Sequence, residues 1–389
     1  MAPPLSRPRT VHITTVHPRG DARIFWKEVR TIAQALHRSV ILVVADGKGD
    51  ETYEQDGIAV LIHDVGKPRG GRVGRATLGA WRVFSKAREM RPDVVHFHDP
   101  ELIPAGILLK VLGHRVIYDA HEDVPRQMLI KHWLPRILQK PVAWTMGIVE
   151  WIAAKVVDGI VTATPKIGER FPSHKTVVVQ NFPICSEFIA REAFPYKQRR
   201  RAFAYVGGVS LLRGAWEMIR SIEKLGHVQG VQLEIAGNFT PSTLEAELQC
   251  VPGWRFVDFH GYLSRSEVAR LLNHVRAGLV VLHPALNYRD AYPVKMFEYM
   301  AAGLPVIASD FPLWRKIIQD AKCGLLVNPL DPQDIASAML WILENPDEAQ
   351  KMGQRGKEAV ERVYNWEHES NKLVALYKRL LGEIEPARL

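Results

Sequence analysis

The stretch NYRDAYPVKMFEYMAAGLPVIASD, residues 287–310, decides the fold. Pro293 suits the first turn of a helix, where its missing N–H has no helical partner to lose. The apolar spacing after it carries the helix to about Ala302, and Gly303 stops it. Pro305 lies two residues further on. The strand at 306–308 is apolar throughout, as a strand covered on both faces is. A helix feeding such a strand is half of a parallel, doubly wound unit.

The same alternation runs outward in both directions. Short β-branched runs lie at 10–16, 40–44, 58–62, 94–97, 116–118, 160–162 and 177–179 in the first half. In the second half they lie at 204–206, 233–236, 256–259, 278–282, 306–308 and 325–327. Helical patterns separate most of them, which predicts parallel sheets with helices on both faces. Between the halves, NFPICSEFIAREAFPYKQRRR at 181–201 has two prolines, a basic cluster and no periodicity, so it reads as a linker. The prediction is an α/β protein of two doubly wound, Rossmann-like domains facing across a cleft, residues 1–187 and 188–365. Ligands of such sheets bind at the carboxyl ends of the strands, so the cleft is the expected site. Trp366, Leu373, Tyr377 and Leu380 recur at helical spacing and predict a terminal helix over 366–389, packing back toward the first domain.

The chain of 389 residues is 47% hydrophobic and 24% charged, which excludes disorder and a disulfide scaffold. Cys185, Cys250 and Cys323 are odd in number and far apart, so a reducing compartment is expected. The opening MAPPLSRPR has no apolar core and reads as a loose tail rather than a secretory signal. Residues 141–163 form the most apolar long stretch, but Glu150, Lys155 and Asp158 interrupt it, so no spanning helix is predicted. The expected location is cytoplasmic, soluble or peripheral at the inner face of the cell membrane.

Two patterns in the second half carry chemistry. Free N–H groups at the start of the helix near Val294, with Lys295 in its first turn, attract anions. Glu298, one turn on, can accept hydrogen bonds from sugar hydroxyls, and Asp290 lies in the loop eight residues before it. A capped helix with solvated charges has the same residues. In YVGGVSLLRG, 205–214, a strand ends in Gly207 and Gly208, which let the backbone approach a ligand, and Arg213 can pair with a phosphate. A plain tight turn has the same glycines.

In the first half, HFHDPELIPAG at 96–106 puts His98 and Asp99 at a strand end, and YDAHEDVPRQ at 118–127 repeats the layout with Asp119, His121 and Glu122. Histidines there can donate to an oxyanion or hydroxyl. A zinc site of His96, His98 and His121 is the rival reading. It lacks an HExxH helix and a cysteine partner.

Together these motifs resemble the retaining glycosyltransferases of family four, which have the two-domain GT-B fold. MFEYMAAGLPVIASD at 296–310 is similar to the Ala-Met-Ala-x-Gly-x-Pro-Val-Ile run that follows that family's Glu-x7-Glu pair, with Glu298 on the second Glu and Asp290 at the position of the first. EIAG at 234–237, FHGYLSRSEVARLL at 259–272, GLLVNPLDPQDIASAM at 324–339 and YNWEHESNKLVALYKRLL at 364–381 follow in family order. The resemblance implies a nucleotide sugar as donor and co-substrate, no cofactor and no metal. It implies that Glu298 holds the ribose, that Asp290 approaches the donor sugar, and that backbone near Gly237, Gly261, Tyr262 and Leu263 holds the base. Pro293, Val294 and Lys295 then receive the diphosphate. The family's Gly-Arg pair departs here, because Gly208 stands where the Arg is expected and Arg213 takes the following Lys position. Lys295 is inferred to supply the missing charge. In the first half, His98 maps to the histidine that approaches the sugar and β-phosphate, and His121 to the second loop. VHPRGDARIFWKEVRTIAQAL at 16–36 resembles a subgroup in which Asp21 and Arg23 face the acceptor.

The net charge of +9 is uneven. Residues 1–187 hold 26 Lys+Arg and 19 Asp+Glu, a net +7, which leaves +2 for the remainder. Residues 67–91 are densest, with Gly70, Gly71 and Gly74 reading as a flexible loop and Trp81 and Phe84 on a helix beyond it. A second basic and aromatic stretch, 127–155, carries Trp133, Trp144 and Trp151, which also fit a core. Basic residues among aromatics suit an anionic bilayer or nucleic acid. No nucleic-acid-binding signature accompanies them, so nucleic acid is not an expected partner. Lipid-linked acceptors are common in the family, so the expected partners are a nucleotide sugar, a glycan or lipid-linked acceptor, and an anionic membrane surface. A nucleotide-sugar 2-epimerase of similar architecture is the enzymatic rival.

Overall fold

A computed structural model describes residues 10–36, 39–55, 57–129, 134–188 and 194–383. The opening tail and Trp133 lie outside them. The chain divides into two compact units, one of Met1–Asn181 with Glu367–Leu389 and one of Phe182–Trp366.

The first unit holds an eight-stranded sheet. Its strands are β1 (Thr10–Ile13), β2 (Val40–Val44), β3 (Glu51–Gln55), β4 (Ile58–Asp64), β5 (Val94–Phe97), β6 (Arg115–Ala120), β7 (Gly159–Thr162) and β8 (Thr176–Val178). They lie in the order β3-β4-β2-β1-β5-β6-β7-β8. All pairings are parallel except β3 with β4. The prediction of purely parallel sheets missed β3, because ETYEQ is an exposed edge strand with no apolar face to betray it.

The two faces of this sheet differ in chemistry. Val11, Ile13, Val95, Phe97, Val116 and Tyr118 point to one face, where they pack with Val83, Phe84, Leu109 and Ala153 in an apolar core. Alternation then sends His12 and His96 to the other face, side by side because β1 and β5 pair them in register. His98 and Asp119 follow two residues beyond His96 and Ile117. The helix Trp366–Leu381 brings Tyr377 to this polar face. It also sets Leu376 against Gly159, where a Cβ would lie 3.1 Å from the leucine.

The glycines at 70, 71 and 74 do not make a loop. Residues Gly71–Gly74 form a helical turn that continues through Arg75–Gly79 into the helix Ala80–Met90. Gly70 turns the chain in with a φ of 91°. At Gly74 a Cβ would meet the carbonyl of Arg69 at 1.7 Å. Gly74 is there for close packing, and Gly70 and Gly71 for their positive φ.

The second unit is a six-stranded sheet in the order β11-β10-β9-β12-β13-β14. Its strands are β9 (Ala202–Val206), β10 (Gln232–Ala236), β11 (Val257–Gly261), β12 (Ala277–Val280), β13 (Val306–Ser309) and β14 (Gly324–Val327), all parallel. Phe203, Tyr205, Leu233, Ile235 and Leu279 build a core on one face, and Ala202, Ala204, Val280, Val306 and Ala308 build one on the other. The helix Val294–Ala301 belongs to the second of these, through Met296, Phe297, Tyr299 and Met300. Pro293 is the residue before that helix rather than within its first turn. Gly303 ends it in the left-handed region, with a φ of 68°.

Candidate functional site

In the second unit, the helix Val294–Ala301 is pinned to the end of β9. The Val206 N–H donates to the Tyr299 hydroxyl at 2.9 Å. Beyond β9 the chain turns through Gly207, with a φ of 116°. Gly237 closes on it so tightly that a Cβ there would lie 2.1 Å from the Gly207 carbonyl. This packing places Lys295 under the turn. Its Nζ sits 3.5 Å from the centroid of the Tyr205 ring. That nitrogen is buried and has no hydrogen-bond acceptor among the described residues. Burial and then the Arg213 charge push its pKa well below the usual lysine value, against an opposing pull from Glu298.

Arg213 ends a short turn, Leu211–Arg213, and donates to the Gly208 carbonyl at 3.1 Å. A Cβ on Gly208 would stand 2.7 Å from the Arg213 guanidinium. The bare backbone at 208 therefore gives Arg213 its place. Glu298 lies 3.7 Å from Arg265, which also binds Glu187. Sequence reasoning missed both partners. Arg265 opens a helix with a full capping box on Ser264 and Glu267, a pattern readable as S-R-S-E, but nothing local points its side chain at Glu298. Gly261 ends β11, and its carbonyl accepts from the Gly237 N–H at 2.7 Å. Tyr262 beyond it is exposed and Leu263 half-buried.

Asp290 follows the turn Leu286–Arg289 and precedes the helix Val294–Ala301. It is exposed at the end of the turn Leu286–Arg289 and lines a depression with Leu286, Arg289, Pro312 and Leu313, a lining that includes neither Lys295 nor Glu298.

In the first unit a cavity of about 270 Å³ opens at the carboxyl ends of β1, β5 and β6. His17, Arg75, His98, Asp99, Asp119, His121 and Glu122 line it. Asp119 is its buried anchor. Arg23 grips that carboxylate with two hydrogen bonds of 3.1 and 2.9 Å. His98 Nδ1 lies 3.1 Å and His121 Nδ1 3.2 Å from its Oδ2. Burial alone raises the pKa of Asp119, but Arg23 and the histidines overcome that and hold it well below the carboxylate range. Burial likewise pulls His121 down, yet the Asp119 charge wins and raises it.

Two expected roles change here. Arg23 does not face an acceptor. It is buried between Asp119, Glu28 and the Val179 carbonyl, all within 3.1 Å. His98 is fully buried, and its ring offers nothing to a sugar, because Nδ1 is engaged by Asp119 and Nε2 by His12 at 2.9 Å. His121 keeps part of its ring exposed to the cavity. Asp21 accepts from the Arg23 and Ile24 N–H groups and pairs with His17 at 3.0 Å, so it shapes the loop after β1. Asp99 does the same from the other side, accepting from Thr14, Thr15 and Val16. Glu122 is exposed at the rim.

The zinc reading of His96, His98 and His121 also changes. Among the described residues of the first unit, those whose ligand atoms lie within 4.8 Å of one another are His12, Glu28, His96 and His98, without His121. His12 and Glu28 were not among the candidates. Their signal was the alternation that puts polar residues at 12, 96 and 98 in otherwise apolar strands.

Comparison with known proteins fits both halves. Residues 187–359 match the glycosyl transferases group 1 family, and residues 22–181 match the glycosyl transferase 4-like domain. A phosphatidyl-myo-inositol mannosyltransferase of Mycobacterium leprae is 32% identical over 304 residues, 74% of this chain and 73% of that protein. An MMP alpha-(1->4)-mannosyltransferase of Mycolicibacterium hassiacum is 21% identical over 302 residues, 75% of this chain and 72% of that one. Among solved structures, sucrose-phosphate synthase from Thermosynechococcus elongatus superposes with a TM-score of 0.69 at 17% identity, over 97% of this chain and 100% of the other. HepE from Anabaena, crystallised with UDP and glucose, superposes with a TM-score of 0.69 at 11% identity, over 96% and 99%.

Proposed function

The chain belongs to the family-4-like glycosyltransferases of GT-B fold, and from that premise we propose that it transfers a glycosyl unit from a nucleoside-diphosphate sugar to a hydroxyl with retention at the anomeric carbon. The observation that carries the reading is the buried ammonium of Lys295, which has no acceptor of its own and lies beside Arg213 at the start of a helix. A buried cation in that state costs stability, and a diphosphate is the partner that offsets it.

In this reading the bond from the anomeric carbon to the phosphate oxygen breaks, and the diphosphate leaves with the electron pair. Lys295, Arg213 and the helix N–H groups neutralise the charge as it forms, so the diphosphate departs without a metal. The acceptor oxygen bonds to the same face of the sugar, and its proton goes to the departing phosphate oxygen. Glu298, steadied by Arg265, takes the ribose hydroxyls. In the first unit His121, beside Asp119, keeps part of its imidazole exposed to the cavity, where it can bond a hydroxyl. The UDP and glucose bound by HepE support a nucleotide-sugar donor, and the two mannosyltransferases support hexosyl transfer.

The acceptor proposed is a lipid-linked glycan or glycolipid met at an anionic membrane surface, on the cytoplasmic side. The support is the helix Arg136–Val156. Its Ile137, Trp144 and Trp151, spaced seven apart, are 83%, 72% and 57% exposed. The alternative that its tryptophans are core therefore fails for Trp144 and Trp151.

Calorimetry with UDP and GDP tests the donor site. Wild type is expected to bind at least one of them, and Lys295→Met to weaken that binding roughly tenfold, about 1.4 kcal/mol. The same variant is expected to melt no lower than wild type without ligand, since it removes a buried charge. Unchanged affinity in a folded Lys295→Met protein sinks this assignment.

A further inference from the structure

From His98, in the lining of the first unit's cavity, a row of buried polar side chains runs inward. His12, His96, His98 and Tyr377 are all fully buried. Tyr377 Oη lies 2.9 Å from His96 Nδ1 and 3.1 Å from His12 Nε2. His12 Nδ1 lies 2.9 Å from His98 Nε2, and His98 Nδ1 lies 3.1 Å from Asp119 Oδ2. We propose that Tyr377 and His12 are positioning residues for the Asp119–His121 pair, through a hydrogen-bond chain whose protons all point one way: His96 to Tyr377, Tyr377 to His12, His12 to His98, and His98 to Asp119.

The direction follows from the acceptor at the end. Asp119 is gripped on both oxygens by Arg23, so it is an ionised carboxylate and accepts only. His98 Nδ1 must then carry the proton. A neutral imidazole has one N–H, which leaves His98 Nε2 as an acceptor, and His12 Nδ1 must donate to it. His12 Nε2 is thereby an acceptor, and the Tyr377 hydroxyl gives it its only proton. Tyr377 Oη accepts in turn from His96 Nδ1. His96 Nε2 is left bare, and it is a buried nitrogen with no partner among the described residues.

The surroundings keep the imidazoles neutral. Burial depresses the pKa of His12, His96 and His98, and each is further lowered by a neighbouring histidine. The titratable groups facing the row are Asp119, Arg23 and Glu28, with His121 and Asp99 at the His98 end. The Glu28 carboxyl lies 3.7 Å from His98 Nδ1 and 3.9 Å from His96 Nδ1. Burial, with Asp119 next, raises its pKa well above the usual range, against the pull of Arg23 at 3.0 Å. A chain of aligned dipoles ending on Asp119 stabilises that one charge and holds its carboxylate in the plane that orients His121. His12 and Tyr377 thus act on a cavity whose lining does not include them, through His98 and Asp119, which line it.

The catalytic consequence rests on the glycosyl-transfer reading, whereas the proton pattern does not. Long-range 15N–1H correlation on histidine-labelled full-length protein reads each tautomer directly. All three of His12, His96 and His98 are expected as neutral Nδ1–H rings at pH 7, with none titrating near 6.5. An Nε2–H ring at His12 or His98, or an imidazolium at either, overturns the chain in the wild-type spectrum alone, whether or not a variant folds. Tyr377→Phe is expected to move His12 off the pure Nδ1–H form and to lower kcat about tenfold with donor KM nearly unchanged. Normal kcat in Tyr377→Phe overturns the positioning role even if the wild-type tautomers are as drawn. Absence of any glycosyl transfer by wild type, with the tautomers as drawn, counts against the reaction and not against the chain.

Discussion

Lys295 is an ammonium group that the fold buries and leaves without an acceptor among the described residues. Its folded pKa lies well below 10.5, the value it regains on unfolding. Between the two, the unfolded chain holds more protons, so this residue's contribution to stability improves as pH rises through that window. A bound diphosphate favours the charged form and restores the proton. Donor binding is therefore expected to take up on the order of one proton within the window and to weaken as pH rises through it. Calorimetry of UDP in buffers of different ionisation enthalpy reads this, and heats that do not vary with the buffer at any pH up to 10 refute it. Lys295 was legible because proline, a cation and a carboxylate at fixed spacing mark a helix start. The roles of Arg23 and His98 were not. An arginine in a loop and a histidine at a strand end look alike in sequence whether they face solvent or one another. Their partners Asp119 and His12 lie 96 and 86 residues away.

At the scale of elements, every apolar strand run was legible, because doubly buried strands are continuous in valine and isoleucine. Polar β3 was not. Helix faces were harder. The helix Arg136–Val156 carries tryptophans that suit a core as well as a surface, and only packing decides. Its single carboxylate, Glu150, is turned inward to Tyr118 and Arg170, so the outward face holds Trp144, Trp151 and basic residues without an acid. Lys155 sits 3.6 Å from the Trp151 ring centroid. The helix packs on Ile103–Val111, which packs on Ala80–Met90, and these expose Leu108, Val111 and Trp81. Aromatic and basic groups of this kind partition to the interface of an anionic bilayer. The protein is expected to float with phosphatidylglycerol-containing vesicles and not with phosphatidylcholine alone, and Trp144→Ser/Trp151→Ser to remove most of that binding. Equal recovery of variant and wild type rules out this surface. None of the helices among the described residues is long and apolar enough to cross a membrane.

For the molecule as a whole, two sheets and their order of elements follow from the strand–helix rhythm, and the relatives extend over most of the chain. The division between units falls at Asn181 and Phe182 rather than at 187. Phe182 and Phe188 pack into the core of the second unit and Glu187 binds Arg265, so residues 182–188 of the stretch that reads as linker are anchored structure. The central claim is transfer with retention from a nucleotide sugar. Its most direct test is proton NMR of the first products formed from UDP-glucose and GDP-mannose, with water and alkyl glycosides offered as acceptors. A sugar released or transferred in the donor's own anomeric configuration is the predicted result. An inverted first product, or a 2-epimer of the sugar with no transfer, contradicts it.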